Sequence, residues 1–357
     1  MKTAFAIDFL LERTPEVFLL ELLLAGHEDA DIYCLAHAQG QILGTAERHR
    51  IISSPLSRFV QKTADLEQKA WLIPSALKQL HIAPNVERLV VISSGWAHTF
   101  ASSPQTKRYT WMYEWENTHT RLRGLKKLFS PYHRQLKELG LDKEEHLAFS
   151  SQTLATELGK GQAKVIAPAL KTEEFPMVSD EEHPGEYTHH LVLLDGAAPT
   201  LVRKLITAAR ERQIPLRVLG PDGEYAFEKS LQVAHVEFVG DHCEATTAAL
   251  THGARAVWSL GHSAFPAGAL GAQCCGRPVV VLDLPENHEF LGDTGTWYLR
   301  NENQITELLN EVEATYLNPD RKILRRQGLK WNERLFKSQM REFSGVVSVA
   351  RPSALLN

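Results

Sequence analysis

Short apolar segments alternate with amphipathic ones along nearly the whole chain. Continuous apolar runs rich in β-branched residues predict strands buried on both faces, as in a parallel sheet. The stretches between them carry helical patterns, which predict crossover helices. The predicted strands are 3–7, 31–35, 88–93, 109–115, 147–150 and 164–167 in the first half, and 191–194, 216–219, 236–239, 254–260 and 278–282 in the second. The alternation indicates the α/β class.

Two helices of the first half can be placed by their ends. Thr14, Pro15 and Glu16 supply a capping hydroxyl, a proline at the first helical position and an acid in the first turn. That helix is predicted to stop at Gly26, a residue suited to a C-cap. Ser151 is predicted to cap a second helix, which ends near Gly159.

The two β–α series are separated by residues 171–188, an acid-rich segment with two prolines that predicts a linker. We therefore predict an N-terminal Rossmann-like domain over 1–170, a C-terminal one over 189–345 with helices from 304 onward, and a tail over 346–357. Ligands bind at the carboxyl ends of parallel strands, so two such domains that face each other predict a cleft between them.

Composition narrows the function classes. The chain has 357 residues, of which 43% are hydrophobic and 23% charged, which is typical of a soluble globular protein. A net charge of -4 argues against a nucleic-acid partner. The four cysteines lack zinc-ligand spacing and are interpreted as buried thiols in a reducing compartment. Neither a signal peptide nor a membrane span is predicted, and we expect a cytoplasmic protein.

Six segments carry a resemblance to a known family. They are ADIYCLAHAQGQI, HRIISSPLSRF, RLVVISSGWAH and FSSQTLATELGKGQAKVIAPALKTEEF in the first half, with VEFVG and GAQCCGRPVV in the second. Together they resemble the family-4 glycosyltransferases of the GT-B class, in the subgroup that builds bacterial surface polysaccharides by mannosyl-type transfer. The resemblance covers roughly residues 1–345. It implies a nucleotide-sugar donor held by the C-terminal domain, an acceptor held by the N-terminal domain, and neither metal nor cofactor.

One pattern in the first half imitates a metal motif. Asp29 and Asp31 have the Asp-x-Asp spacing that binds a metal in other glycosyltransferases. Their place between a helix and a strand favours a turn instead, because aspartate is a common turn residue.

The donor-side motif of the family is incomplete in this chain. The family has a glutamate, a phenylalanine two residues later and a second glutamate eight residues after the first. Phe265 matches the phenylalanine, whereas Ser263 and Gly271 stand where the carboxylates are expected. The second glutamate accepts hydrogen bonds from the ribose, so its loss removes about 1.5–3 kcal/mol of binding energy.

The basic pair that the family aims at the donor diphosphate is also missing. Ala197 and Thr200 occupy those positions. Arg203 and Lys204 follow one helical turn later and either substitute for the pair or are solvated helix charges; we favour the second interpretation.

With these side chains missing, backbone groups are the remaining candidates for binding the donor. Residues 261–268 lead into a short helix whose free amides could bind a diphosphate. The family also has a glutamate after its next strand, here 278–282, and Glu289 occupies that position. The candidate donor-binding residues are Gly196, Gly220, Gly240, His262, Ser263, Phe265, Ala267, Gly268 and Glu289.

On the acceptor side, the candidate residues are Thr14, His98 and Tyr113. Tyr113 aligns with a family histidine and either hydrogen-bonds a sugar or serves as an aromatic wall, with equal weight. We identify no catalytic residue.

A basic stretch over 121–137, with leucines between its charges, has two interpretations as well. It is either a solvated helix, which we favour, or a surface that lies on the inner face of a membrane and presents the site to a lipid-linked acceptor.

Two functions follow from these patterns. The first is a retaining, metal-independent glycosyltransferase that moves a hexose from a nucleotide sugar to a cell-surface glycan or a lipid-linked acceptor. The second is a catalytically degenerate relative that acts as a partner subunit of another glycosyltransferase or as a module binding glycan or nucleotide. A sugar-phosphate epimerase of similar design is disfavoured, because its catalytic carboxylates have no counterparts here.

Overall fold

The computed structural model describes residues 2–115, 130–177, 187–194, 196–220, 235–240 and 244–345. The chain forms two compact units. The first comprises the chain up to Pro168 together with the residues from Arg334 onward, and the second is Ala169–Glu333. Each unit contains a parallel sheet with helical crossovers, which confirms the predicted α/β class and its two Rossmann-like halves.

The first unit is built on seven parallel strands in the order β5-β3-β1-β6-β7-β8-β9. These strands are β1 (Thr3–Ile7), β3 (Asp31–Cys34), β5 (Arg50–Ser53), β6 (Arg88–Ser93), β7 (Lys107–Met112), β8 (Leu147–Phe149) and β9 (Lys164–Val165). A separate parallel pair is formed by β2 (Phe9–Leu10) and β4 (Ala36–His37). The helices of this unit are α1 (Pro15–Leu24), α2 (Thr63–Lys69), α3 (Ile73–Gln79), α4 (Ser130–Leu141), α5 (Gln152–Glu157) and α12 (Glu333–Ser344).

The second unit has six parallel strands in the order β12-β11-β10-β13-β14-β15. They are β10 (His189–Leu193), β11 (Leu216–Leu219), β12 (Val236–Gly240), β13 (Ala254–Ser259), β14 (Val279–Leu282) and β15 (Thr296–Leu299). Its helices are α6 (Pro199–Glu211), α7 (Glu244–His252), α8 (Ala267–Cys274), α9 (Pro285–Phe290), α10 (Ile305–Thr315) and α11 (Arg321–Gly328).

The local signals in the sequence account for helix α1. The Thr14 hydroxyl accepts a hydrogen bond from the Val17 amide at 3.4 Å, as expected of an N-cap. Gly26 has φ +93°, the left-handed conformation that ends a helix. Ser151 caps α5 in the same way, through the Leu154 amide at 3.0 Å.

Four strands were not predicted, namely β2, β4, β5 and β15, and one prediction was displaced. β2 and β4 are only two residues long. β5 lies at a sheet edge and is only partly buried, so its apolar signal is weak. β15 is short and also an edge strand. The strand predicted over 109–115 is β7, which begins at Lys107 and ends at Met112, because its polar first residues pair with β6 from Arg88 onward.

The end of the chain departs from the predicted domain limits. We assigned residues up to 345 to the second domain, but α12 belongs to the first unit. Phe336 is buried there, with its ring 5.2 Å from that of Trp111, and Glu342 pairs with Lys164 at 2.6 Å.

Of the predicted linker, Lys171 to Met177 belong to the second unit and include a 3₁₀ turn, Thr172–Glu174. Residues 178–186 of the linker lie outside the described residues.

Both sheets have a topological switch point. In the first unit, β1 lies between β3 and β6. The chain adds strands from β1 outward to β5 on one side, and then from β6 outward to β9 on the other side. In the second unit, β10 lies between β11 and β13 in the same manner. A crevice opens at the carboxyl ends of strands where the direction reverses, and ligands of such folds bind there.

Close packing of α11 on α8 gives the first prediction. A Cβ on Gly328 would lie 2.6 Å from Cys274 Sγ and 2.8 Å from the Leu270 carbonyl oxygen. We expect Gly328→Ala to lower the free energy of unfolding by about 1–3 kcal/mol, since the helices must move apart. Denaturant titration measures the change. Gly161→Ala is the control, because its nearest contact would be 3.5 Å; equal stability of the two variants would contradict the packing argument.

Candidate functional site

A cavity of about 250 Å³ lies at the switch point of the first unit. Its walls include the carboxyl ends of β1 and β6, through Ile7 and Ile92. Four of its lining residues are acids, namely Asp8, Glu12, Glu16 and Glu114. Three others carry hydroxyl groups, namely Thr14, Thr63 and Ser94.

Asp8 fixes the loop that follows β6. It is buried, and its Oδ2 accepts hydrogen bonds from the Ser94 amide at 3.2 Å and the Trp96 amide at 3.0 Å. Its Oδ1 accepts from the Ala97 amide at 2.7 Å and the Ser93 hydroxyl at 3.1 Å. Hydrogen bonds to a buried charge are worth about 1.5–3 kcal/mol each, so this carboxylate holds the loop firmly against the end of β1.

Two other acids of the cavity are tied to hydroxyl groups. Glu16 Oε1 accepts from the Ser94 hydroxyl at 3.0 Å, and Glu12 Oε1 accepts from the Thr63 hydroxyl at 2.8 Å. Each bond uses one carboxylate oxygen, and within the described part of the chain the second oxygen of either glutamate accepts no hydrogen bond that we find. These acids can therefore accept hydrogen bonds from a ligand.

The three predicted acceptor-side residues have different surroundings. Thr14 lines the cavity while its hydroxyl caps α1. Tyr113 is 3% exposed and packs edge-on against Trp111; burial raises its pKa, and the negative charges of Glu16 and Glu114 raise it further. The tyrosine is therefore a neutral aromatic next to the acids.

His98 lies behind the loop and does not line the cavity. It is 3% exposed, with Nδ1 3.0 Å from Ser93 Oγ, and its Nε2 donates to the Lys137 carbonyl at 3.0 Å. Desolvation lowers its pKa to about 4, and the charges of Lys137 and Arg108 act in the same direction. At neutral pH the ring is an uncharged support for the loop.

The basic stretch falls mostly outside the described residues, which exclude 116–129. Of its charged residues that are described, Arg134 is exposed and pairs with Glu138 at 2.8 Å. Lys137 is 1% exposed, and its Nζ lies 4.6 Å from the ring centre of Trp96 and 5.4 Å from that of Trp115. Lys137 thus belongs to neither a solvated face nor a membrane surface; it is a cation held between indole rings.

In the second unit, the three predicted glycines follow strands at the carboxyl edge of the sheet. Gly196 and Gly240 have φ +70° and +79°, conformations that favour glycine. Gly220 donates its amide to the Gly240 carbonyl at 2.9 Å, which brings these two together. A Cβ on Gly220 would lie 2.6 Å from the Leu194 side chain, so packing alone requires a glycine there.

The loop that precedes α8 is held by its own hydrogen bonds. The Ser263 hydroxyl donates to the Phe265 carbonyl at 2.8 Å and accepts from the Phe265 amide at 3.3 Å. Phe265 is buried, with its ring 5.1 Å from that of Phe290. Ser263 and Phe265 therefore shape the loop, whereas His262 is exposed.

The start of α8 offers two amides. The Ala267 amide donates to the Phe265 carbonyl at 2.8 Å, and the Leu270 amide to the Pro266 carbonyl at 2.9 Å. No hydrogen bond from the Gly268 or Ala269 amide is found among the described residues. The predicted anion site is reduced to these two groups, at the positive end of the helix dipole.

A phenylalanine contacts Gly271, the position where the resemblance implies a ribose-binding carboxylate. A Cβ on Gly271 would lie 2.7 Å from Phe175 Cε1 and 2.8 Å from Cζ. Phe175 follows the turn Thr172–Glu174, in the segment that the sequence predicted to be a linker. Sequence reasoning missed this contact, because the two residues are far apart in the chain.

A charged cluster at the carboxyl end of β14 was also missed. Asp283 accepts from His288 Nε2 at 2.6 Å and from Arg300 Nε at 2.9 Å. The hydrogen bond from His288 is the largest cause that lowers the pKa of Asp283, and Arg300 adds to it. The His288 ring stacks on Tyr298 at 3.9 Å. Glu289, the predicted donor-side acid, is the next residue of α9. The sequence pattern that could have predicted this cluster is an aspartate directly after an apolar strand.

Comparisons with solved structures bear on the fold. The chain is similar to sucrose-phosphate synthase from Thermosynechococcus elongatus, with a TM-score of 0.70 and 13% identity, over 96% of this chain and 98% of that one. It is similar to HepE from Anabaena in complex with UDP, with a TM-score of 0.66 and 12% identity, over 96% and 99%. The lipopolysaccharide outer core galactosyltransferase WaaB gives a TM-score of 0.59 and 14% identity, over 96% and 99%.

These likenesses establish the class of fold. The chain has the GT-B glycosyltransferase fold, as the resemblance implied, in a match that spans both units. No protein-family model and no curated protein sequence matches the chain. Throughout the described ranges, every helix is too short or too polar to cross a lipid bilayer.

The buried imidazole of His98 predicts a dependence of stability on pH. Its pKa is about 4 in the fold against 6.5 when unfolded, so the unfolded chain binds the proton first as the pH falls. We expect this residue alone to cost about 3 kcal/mol of stability between pH 6.5 and pH 4, with none lost above pH 7.5. Denaturant unfolding across that range measures the slope. His98→Gln should flatten it, whereas the exposed control His262→Gln should leave it unchanged; an unaltered slope in His98→Gln would contradict the assignment.

The contact between Gly271 and Phe175 predicts the outcome of restoring the family glutamate. Gly271→Glu should destabilise the protein by about 1–3 kcal/mol, because the new side chain collides with the phenylalanine ring. In Phe175→Ala the same substitution should cost less, giving a coupling energy of at least about 0.5 kcal/mol in a double-mutant cycle. Strictly additive unfolding energies would show that the ring does not fill this position.

Proposed function

We propose that this protein transfers a hexose from a nucleotide sugar to a saccharide acceptor. The observation that carries the proposal is the match of the whole chain to GT-B structures, one of which, HepE, was solved with UDP and with UDP-glucose. In this proposal the second unit binds the nucleotide sugar and the first unit binds the acceptor. The protein is a family-4 member of the mannosyl-type subgroup, and it acts with retention and without a metal.

The donor diphosphate is bound in this proposal at the amides of Gly268, which is half-buried, and Ala269, which is fully buried, and so mainly through the Gly268 N–H. These amides carry the partial positive charge of the start of α8, which stabilises the negative charge that grows on the leaving diphosphate. The left-handed Gly196 and Gly240 allow the backbone to approach a ligand closely. Glu289 is the family carboxylate that this proposal assigns to the sugar. These groups act mainly by position and charge, so no protein nucleophile is required.

The acceptor in this proposal is the sugar end of a cell-surface glycan or of a lipid-linked saccharide. The protein acts in the cytoplasm, with a peripheral contact to the inner membrane face that brings it to such an acceptor. The cavity of the first unit, with its hydroxyl and carboxylate lining, supports a sugar as ligand, because sugars present many hydrogen-bond donors.

A second candidate is a catalytically degenerate protein that binds glycan or nucleotide or serves as the partner subunit of an active glycosyltransferase. The specific observation in its favour is the contact of Phe175 with Gly271, which leaves no space for a ribose-binding carboxylate. The Ser263 hydroxyl is likewise engaged within its own loop. A donor site without these acids is expected to bind nucleotide more weakly.

Turnover and binding separate the two candidates. The purified chain is incubated with a panel of UDP-, GDP- and ADP-hexoses and a mixture of saccharide acceptors, and release of nucleoside diphosphate is measured. Release that depends on the acceptor supports the transferase. Micromolar calorimetric binding of UDP or GDP without release supports the degenerate nucleotide-binding protein, and neither binding nor release would overturn nucleotide-sugar transfer.

The amide site at α8 gives a sharper test. Gly268→Pro removes one N–H group while keeping a residue that a first helical turn tolerates. We expect it to weaken binding of the diphosphate about tenfold, measured by calorimetry with UDP or GDP. Gly268→Ala keeps the N–H and is the matched control, with binding close to that of the parent protein. Equal weakening in both variants would indicate a steric effect and contradict the amide contact.

A further inference from the structure

We propose that the cavity of the first unit binds an acceptor sugar that carries an ammonium group, such as an amino sugar, and rejects acceptors that are phosphorylated within the cavity. The inference rests on the proposed transfer function and narrows its acceptor. Three features of the described residues carry it: the occupied amides of the loop after β6, the spread of the acids, and the apolar wall.

The amides that could have bound an anion at this switch point are already occupied. Three backbone donors, from Ser94, Trp96 and Ala97, point at Asp8. Such an array of amides favours an anionic group, and here the protein supplies that group itself. These three backbone amides are therefore not available to a phosphate or carboxylate of a ligand, and Asp8 adds a carboxylate to the cavity lining.

The remaining acids favour a cationic or donor-rich ligand. Glu12, Glu16 and Glu114 line the same cavity, and among the described lining residues there is no lysine, arginine or histidine. Carboxylates accept hydrogen bonds and attract positive charge, so this lining favours an ammonium group and repels a phosphate.

A metal ion is a poorer occupant than an organic cation. Within the described part of the chain, no three Asp, Glu, His or Cys side chains converge closely enough to hold one metal ion. The acids of the cavity instead line a space of about 250 Å³ without such a convergence. This arrangement suits a ligand that presents its charge and its hydrogen-bond donors at separate places.

The walls of the cavity complete the description of the ligand. Ile7, Leu66 and Ile92 give an apolar surface, while the hydroxyl groups of Thr14 and Ser94 lie among the acids. A sugar ring has an apolar face and a rim of hydroxyl groups, and such pockets combine apolar surface with a few placed polar groups. An amino sugar adds the ammonium group that the acids favour.

Binding of small sugars without any nucleotide tests the inference. The whole chain is titrated at pH 6.5 with glucosamine, glucose, N-acetylglucosamine and glucosamine 6-phosphate, by calorimetry or saturation-transfer NMR. We expect glucosamine to bind at least tenfold more tightly than the other three. The preference should disappear as the pH rises through the pKa of the amine of the ligand.

Variants locate the site. Glu12→Gln and Glu16→Gln should each weaken glucosamine binding at least fivefold and weaken glucose binding by a smaller factor, because glucose loses only a hydrogen-bond acceptor whereas glucosamine also loses the opposite charge. Glu138→Gln is the control, an exposed acid on α4 that does not line the cavity. Circular dichroism and a thermal melt of each variant verify that it is folded.

The outcomes separate this inference from the proposed function. Equal binding of glucosamine and glucose, preference for the 6-phosphate, no binding of any of the four, or an amine preference unaffected by both variants overturns the amine-bearing acceptor. UDP and GDP are titrated separately. Nucleotide binding with no amine preference leaves the proposed function intact, whereas an amine preference without nucleotide binding supports the cavity and counts against the transferase.

Discussion

One buried carboxylate organises the first unit at the place where its function is proposed. Asp8 follows β1 directly and receives the amides of a loop that follows β6, so a single side chain joins the two strands that flank the switch point. Removal of such a charge would leave several buried donors without a partner, each at a cost of about 1–3 kcal/mol. Both the shape of the cavity and its negative potential depend on this arrangement.

The loops at the two switch points are held by groups of different charge. In the second unit, the loop after β13 is held by a serine hydroxyl and a backbone carbonyl, and both partners are neutral. The amides of Gly268 and Ala269 are therefore not neutralised by a carboxylate that the structure describes. This contrast is in keeping with the proposed function, in which the negatively charged donor binds the second unit and the proposed ammonium-bearing acceptor binds the first.

Much of the fold could be predicted from local signals, and the site could not. The strand Arg88–Ser93 was predicted because its apolar run is continuous, and the helix Pro15–Leu24 because its ends carry a capping threonine and a glycine. The role of Asp8 was missed, because its partners lie more than 80 residues away and are backbone groups that no sequence pattern marks. The contact of Phe175 with Gly271 was missed for the same reason. Where the resemblance predicted carboxylates that this chain lacks, only the structure could say what fills their place.

The last helix has a consequence for how the chain matures during translation. Phe336 on α12 covers Trp111, which belongs to a sheet whose other strands are complete by Val165. The ribosome adds nearly half of the polypeptide between Val165 and Phe336. During that interval the indole of Trp111 lacks its contact with Phe336. Domains that emerge first often fold first, but this one cannot finish in that order. Nascent chains that stall before α12 should consequently expose apolar surface and attract chaperones.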